Sequence, residues 1–130
     1  MTEMDQSTRV KLNRLKEALS ALRIPFADSE YQLHDCIAAA LTSGGFVVQH
    51  EVSLGPRCRI DFLVDGIGIE VKRGKPQKAA LVRQCARYMA SDRLEALILV
   101  LDTSVLLPGE MNGKPLHTFG LNRLWGIALP

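Results

Sequence analysis

Cysteine is sparse in this chain of 130 residues, and its count is odd. Cys36, Cys58 and Cys85 stand at wide, irregular spacing, which gives neither a disulfide framework nor a zinc knuckle. Cys36 and Cys85 sit among apolar residues and read as small core hydrophobes, so a reducing, cytoplasmic setting is expected. Aromatic residues are also few, at 5%. A platform that stacks successive bases of a single strand needs more of them. No apolar run approaches the length of a membrane span, and Met1 to Arg14 is polar, without the apolar stretch of a signal peptide. A charge excess of one sign is missing too. A net charge of +2 and a pI near 8.5 permit a nucleic-acid partner without demanding one. Internal repeats and low-complexity segments are absent.

What remains is the composition of one ordinary globular domain, 47% hydrophobic and 23% charged. Such a chain can bury a core without disulfides or a structural metal. From about Asp5 to Leu22 the pattern is helical. Leu12, Leu15, Leu19 and Leu22 recur at three and four, Arg9, Lys11, Arg14 and Lys16 occupy the other sides, and Pro25 ends the run. Residues 1–26 thus read as an amphipathic basic helix ahead of a domain over 27–130. Its apolar stripe packs on the core or on a second subunit, or its cations reach out as an arm to phosphates.

Asp28-Ser29-Glu30 opens a second helix, with Ser29 and Gln32 as a capping box and Gly44-Gly45 as the stop. Glu30, His34, Ala38 and Leu41 form a stripe along it. Phe46 to Leu54 reads as a first strand, ended by Gly55-Pro56. Two short strands follow, joined at Asp65-Gly66. Lys72 to Pro76 is a basic loop. A third helix covers Ala79 to roughly Ala90, and Leu97 to Leu101 is an apolar run fit for a strand buried on both faces. Leu106 to His117, with two prolines and two glycines, reads as loop, and Trp125 to Leu129 as a last strand. A mixed sheet flanked by helices is the expected α/β architecture.

Charges are few on the two central strands, and their placement carries the chemistry. Asp61 interrupts Ile60-Asp61-Phe62-Leu63-Val64, where an unpaired carboxylate is costly. Glu70 and Lys72 share one strand face, while Ile67, Ile69 and Val71 share the other. A hairpin at Asp65-Gly66 brings Asp61 near Glu70. Two carboxylates, helped by the Val71 carbonyl, suit a hard divalent cation such as Mg²⁺. Lys72 beside them can act on a water or on phosphate charge. Arg73, Lys75 and Lys78 in the following loop offer phosphates a place. Arg83 and Arg87 form a helical stripe that is either solvated or in phosphate contact. Glu51 is a weaker acidic candidate, and Asp65 is a turn residue.

Asp61 followed by Glu70-Val71-Lys72 after a strand and turn resembles the core motif of the PD-(D/E)XK nuclease superfamily. Ile60 stands where the proline of that name would be. The resemblance spans roughly residues 29–101. It implies a restriction-endonuclease-like α-β-β-β-α-β core, with an extra N-terminal helix here. It also implies Asp61 and Glu70 as ligands of Mg²⁺ or Mn²⁺, Lys72 as the catalytic lysine, and either Glu30 or His34 completing the site. Gln84-Cys85-Ala86-Arg87-Tyr88 resembles the Gln-X-X-X-Tyr motif of RecB-like members, which implies that Gln84 and Tyr88 support the lysine or a phosphate. The expected activity is hydrolysis of phosphodiester bonds, in DNA of unresolved strandedness and shape, by a structure-selective or non-specific enzyme. A homodimer is left open. The rival reading is a catalytically inactive module of the same fold that binds nucleic acid or a protein.

Overall fold

The computed structural model describes residues 3–22 and 30–121, with side chains over 6–22 and 32–121. The elements follow as α1 (Glu3–Ser20), α2 (Glu30–Ser43), β1 (Gln49–Gly55), β2 (Cys58–Val64), β3 (Ile67–Lys72), α3 (Lys78–Met89), β4 (Ala96–Leu101), β5 (Glu110–Met111) and β6 (Lys114–Gly120). The strands form one mixed sheet in the order β1-β2-β3-β4-β6-β5. The β1/β2, β2/β3 and β5/β6 pairs are antiparallel, and β3/β4 and β4/β6 are parallel.

Side-chain alternation along the strands divides the core in two. Ala96, Ile98 and Val100 of β4 join Ile67, Ile69 and Val71 of β3 under α1 and α2. Leu97, Leu99 and Leu101 join Leu81, Cys85, Tyr88 and Met89 of α3 on the other face. All six residues of β4 are buried, as its unbroken apolar run predicts. The leucine stripe of α1 is almost sealed, with Leu12, Leu15, Leu19 and Leu22 no more than 4% exposed. This helix shares the core of the sheet. Its cations are engaged within the domain instead of forming a free arm. Lys11 Nζ lies 2.8 Å from Glu95 Oε2 and Lys16 Nζ 3.0 Å from His117 Nδ1.

The Asp65-Gly66 turn takes the expected two-residue form, with φ of 51° and 84°. Two expectations need correction. The first strand begins at Gln49 instead of Phe46. The expected loop from Leu106 to His117 contains β5 and most of β6. Its prolines argue against strands in general. However, Asn112-Gly113 turns the chain with φ of 55° and 76°, and β6 then pairs alongside β4. Asn112 Nδ2 and Lys114 Nζ donate to the Met89 carbonyl, which fixes the C-terminal end of α3. The capping box at Ser29 and the strand expected at Trp125–Leu129 lie outside the described residues.

One distortion positions the site. β1 and β2 keep a constant register through Gln49↔Leu63, His50↔Phe62, Val52↔Ile60 and Ser53↔Arg59. Glu51 therefore stands across from Asp61, and it adopts a left-handed φ of 47°. Beyond this point the hairpin turns toward α3. Val52, Leu54, Cys58 and Ile60 pack with Tyr88, Met89 and Leu94, and a Cβ at Gly68 would meet Ile60 Cδ1 at 2.5 Å.

Candidate active site

Pairing between β2 and β3 runs from Val64↔Ile67 to Phe62↔Ile69 and stops there. Side chains replace the ladder beyond it. The Asp61 N–H donates to Glu70 Oε1 at 3.0 Å, and the Val71 N–H donates to Asp61 Oδ2 at 2.8 Å. This reciprocal pair holds the two carboxylates side by side in the gap between the strands. In a strand, the N–H and C=O of one residue leave the same edge. The Val71 carbonyl therefore faces the gap as well.

Helices on both sheet faces complete the cluster. From α2, His34 Nε2 approaches Asp61 Oδ2 to 3.5 Å. The ring stands edge-on to Phe62, with centroids 5.5 Å apart. Its buried Nε2 has no hydrogen-bond partner in the protein. From α3, Gln84 Nε2 donates to Tyr88 Oη at 2.8 Å. The Tyr88 hydroxyl donates to Glu70 Oε2 at 2.9 Å, with the Arg59 carbonyl as a second acceptor at 3.2 Å. Lys72 Nζ lies 3.5 Å from Glu70 Oε2. The Lys72 side chain is 30% exposed and that of Glu70 only 6%, so the ammonium stands between the buried acid and solvent.

Burial, followed by the neighbouring Asp61 carboxylate, pushes Glu70 up to about 7, although the Asp61 N–H, Tyr88 and Lys72 all favour its charged form. Burial and Glu70 drive the Tyr88 phenol far above its ordinary range, which keeps it a proton donor to the acid. The same two causes push the Cys85 thiol up to about 11. Cys85 is therefore an unreactive packing residue, as its apolar neighbours in the sequence suggest.

The structure thus brings together Asp61, Glu70, Val71, Lys72, His34, Gln84 and Tyr88. The Glu30 side chain lies outside the described residues. Arg73 turns to Asp102, with Nε 3.4 Å from Oδ2, while Lys75, Lys78, Arg83 and Arg87 are exposed. Asp102, just past β4, was missed in the sequence. Parallel pairing of Lys72 with Leu101 sets it beside Arg73, and its Oδ1 is buried without a partner. The sequence signal was an acid ending a fully apolar strand. Glu51 contributes to the site through its backbone bend, and its side chain is exposed.

Among the described residues, no three His, Cys, Asp or Glu side chains are already grouped as a metal cage. The donor chemistry nonetheless fits a hard cation: two adjoining carboxylates, a carbonyl on the same gap, and an unsatisfied imidazole nitrogen facing Asp61. Cavities of about 440 and 450 Å³ lie elsewhere, against α1. At the carboxylates, Asp61 keeps 22% of its side-chain surface exposed beside the buried Glu70. Compared with protein-family models, curated proteins and solved structures, the chain matches none.

Proposed function

We propose that this chain is a metal-dependent nuclease of restriction-endonuclease-like topology that hydrolyses phosphodiester bonds in DNA. The observation that carries the reading is the break in the β2–β3 ladder, where Asp61 and Glu70 stand together with Lys72 at 3.5 Å from Glu70. A scaffold has no need for this arrangement. It replaces strand hydrogen bonds with a carboxylate pair that burial and mutual repulsion disfavour. The order α2-β1-β2-β3-α3-β4 around the break supports the topology that the motif implies.

In this reading Asp61, Glu70 and the Val71 carbonyl would hold Mg²⁺ or Mn²⁺, and His34 or Glu30 would complete the set. The bound ion would polarise a phosphoryl oxygen and lower the pKa of its water. Tyr88, fixed by Gln84, orients the Glu70 carboxylate through Oε2. Lys72 places a positive charge at the solvent side of the acid, where it can position the attacking water and stabilise charge growing on the phosphate.

Incubation with supercoiled plasmid, branched DNA and single strands, in Mn²⁺ and in chelator, tests the proposal. Cleavage should require the metal and should fall by about a hundred- to a thousandfold in Lys72→Ala and in Asp61→Ala, the scale of losing a principal charge-stabilising group. Binding without cleavage by the wild-type chain in every condition would replace the enzyme with an inactive module of the same fold.

A further inference from the structure

The modest net charge hides a strong asymmetry. Eight of the sixteen Lys and Arg residues, and none of the fourteen Asp and Glu residues, fall within residues 52–60 and 71–90. The rest of the chain carries eight cations against fourteen anions. The fold brings these two segments together. The first is the outer half of the β1–β2 hairpin and the second is the end of β3 with its loop and α3. The hairpin turns toward α3 at Glu51 and Asp61, and its apolar side chains join the α3 cluster.

Arg57 and Arg59 lie on this outer half, and both are exposed. Arg57 occupies the turn with a φ of 54°, and Arg59 is tied to the site through its own backbone. Its carbonyl lies 3.2 Å from the Tyr88 hydroxyl, which also meets Glu70. The hairpin is braced as well, since Arg93 Nη1 donates to the Ser53 carbonyl at 3.3 Å. A guanidinium rooted beside the carboxylates compensates a polyanion next to a buried acid, and arginine's fork suits phosphate oxygens. The loop cations Lys75 and Lys78 follow the other strand of the site, β3, so the carboxylates lie between two basic elements.

Resting on the nuclease reading, we propose that the β1–β2 hairpin is a phosphate-binding wing. Arg57 and Arg59 contact the DNA backbone next to the scissile bond, and the bend at Glu51 and Asp61 sets the wing at the same point as the carboxylates. The recognition is of backbone charge, so it is independent of sequence.

Fluorescence anisotropy in chelator, with a labelled duplex and its single strand over a series of KCl concentrations, tests the wing without cleavage. Arg57→Gln/Arg59→Gln should bind duplex at least about tenfold more weakly near 0.1 M salt, and the slope of log K against log salt should shrink by about 2. Arg9→Gln/Arg14→Gln removes the same charge from α1, outside the hairpin, and should leave that slope unchanged. Unfolding midpoints like that of the wild type establish that each variant is folded. Equal slopes for the wing variant and the wild type, with the wild type binding, would overturn the wing alone. Absence of any wild-type binding, together with absence of metal-dependent cleavage, would overturn the nuclease reading and the wing with it.

Discussion

Glu70 pays for its position in stability. Its folded pKa of about 7 stands above its ordinary value of 4.5 because burial and Asp61 oppose the charge. An acid with a raised folded pKa binds more protons folded than unfolded. Its contribution is therefore most favourable below the unfolded pKa and is lost as pH rises through the folded one. The window runs from 4.5 to about 7, and the loss across it is about 3 kcal/mol at 1.36 kcal/mol per unit. Glu70→Gln keeps the shape and removes the titration. Urea unfolding should find this variant near wild-type stability at pH 4.5 and more stable by about 2–3 kcal/mol at pH 8, while cleavage is lost. A constant difference across this range would show that Glu70 is not the titrating group. Stability lost where activity needs a buried acid is the common trade-off at active sites.

At the scale of elements, the β1–β2 hairpin is bent where a regular ladder would give no site. In an undistorted pair, Asp61 would sit opposite Glu70 with its backbone in the β2–β3 ladder. Instead the chain bends at Glu51, whose positive φ strains a non-glycine residue. Glu51→Gly should relieve this at an exposed position and raise stability by up to about 1 kcal/mol, measured by chemical denaturation. Cleavage should persist, because Glu51 acts through the backbone. Loss of cleavage in a well-folded Glu51→Gly would instead give its carboxylate a direct role. The α1 helix contributes differently. Its leucines cover Ile67, Ile69 and Val71 on the face opposite Glu70 and Lys72, and so hold the strand that carries them.

For the whole molecule, the proposed metal site links metal, proton and fold. A divalent cation held there would compete with the proton on Glu70, so its binding should stabilise the protein most above the acid's pKa of about 7. Thermal unfolding should shift upward on adding Mn²⁺ at pH 8, shift little at pH 5.5, and shift at neither pH in Asp61→Ala. An equal shift at both values would place the metal away from Glu70. The same carboxylates adjoin the two segments, 52–60 and 71–90, that hold eight of the sixteen Lys and Arg residues, an arrangement suited to steering a polyanion toward them.

Sequence by itself determined the three helices and the strands as far as β4, and it set Asp61, Glu70 and Lys72 on the two central strands. Leucine spacing gave α1 its buried stripe, an unbroken apolar run gave β4 its double burial, and Asp65-Gly66 fixed the hairpin that sets Asp61 against Glu70. These signals are local, because side-chain direction repeats every two or 3.6 residues and a turn is decided by two φ angles. The Asn112-Gly113 turn was equally local but stood among prolines, and the strand it starts depends on pairing with β4, 19 residues away in sequence for every partner. Only the tertiary structure decided that the ladder opens at Asp61, that His34 and Tyr88 reach the carboxylates from opposite faces, that Asp102 stands beside Arg73, and that the outer hairpin packs its apolar side chains with α3. Each depends on contacts between residues distant in sequence. Burial against those partners, which no local pattern encodes, is also what raises Glu70 to about 7.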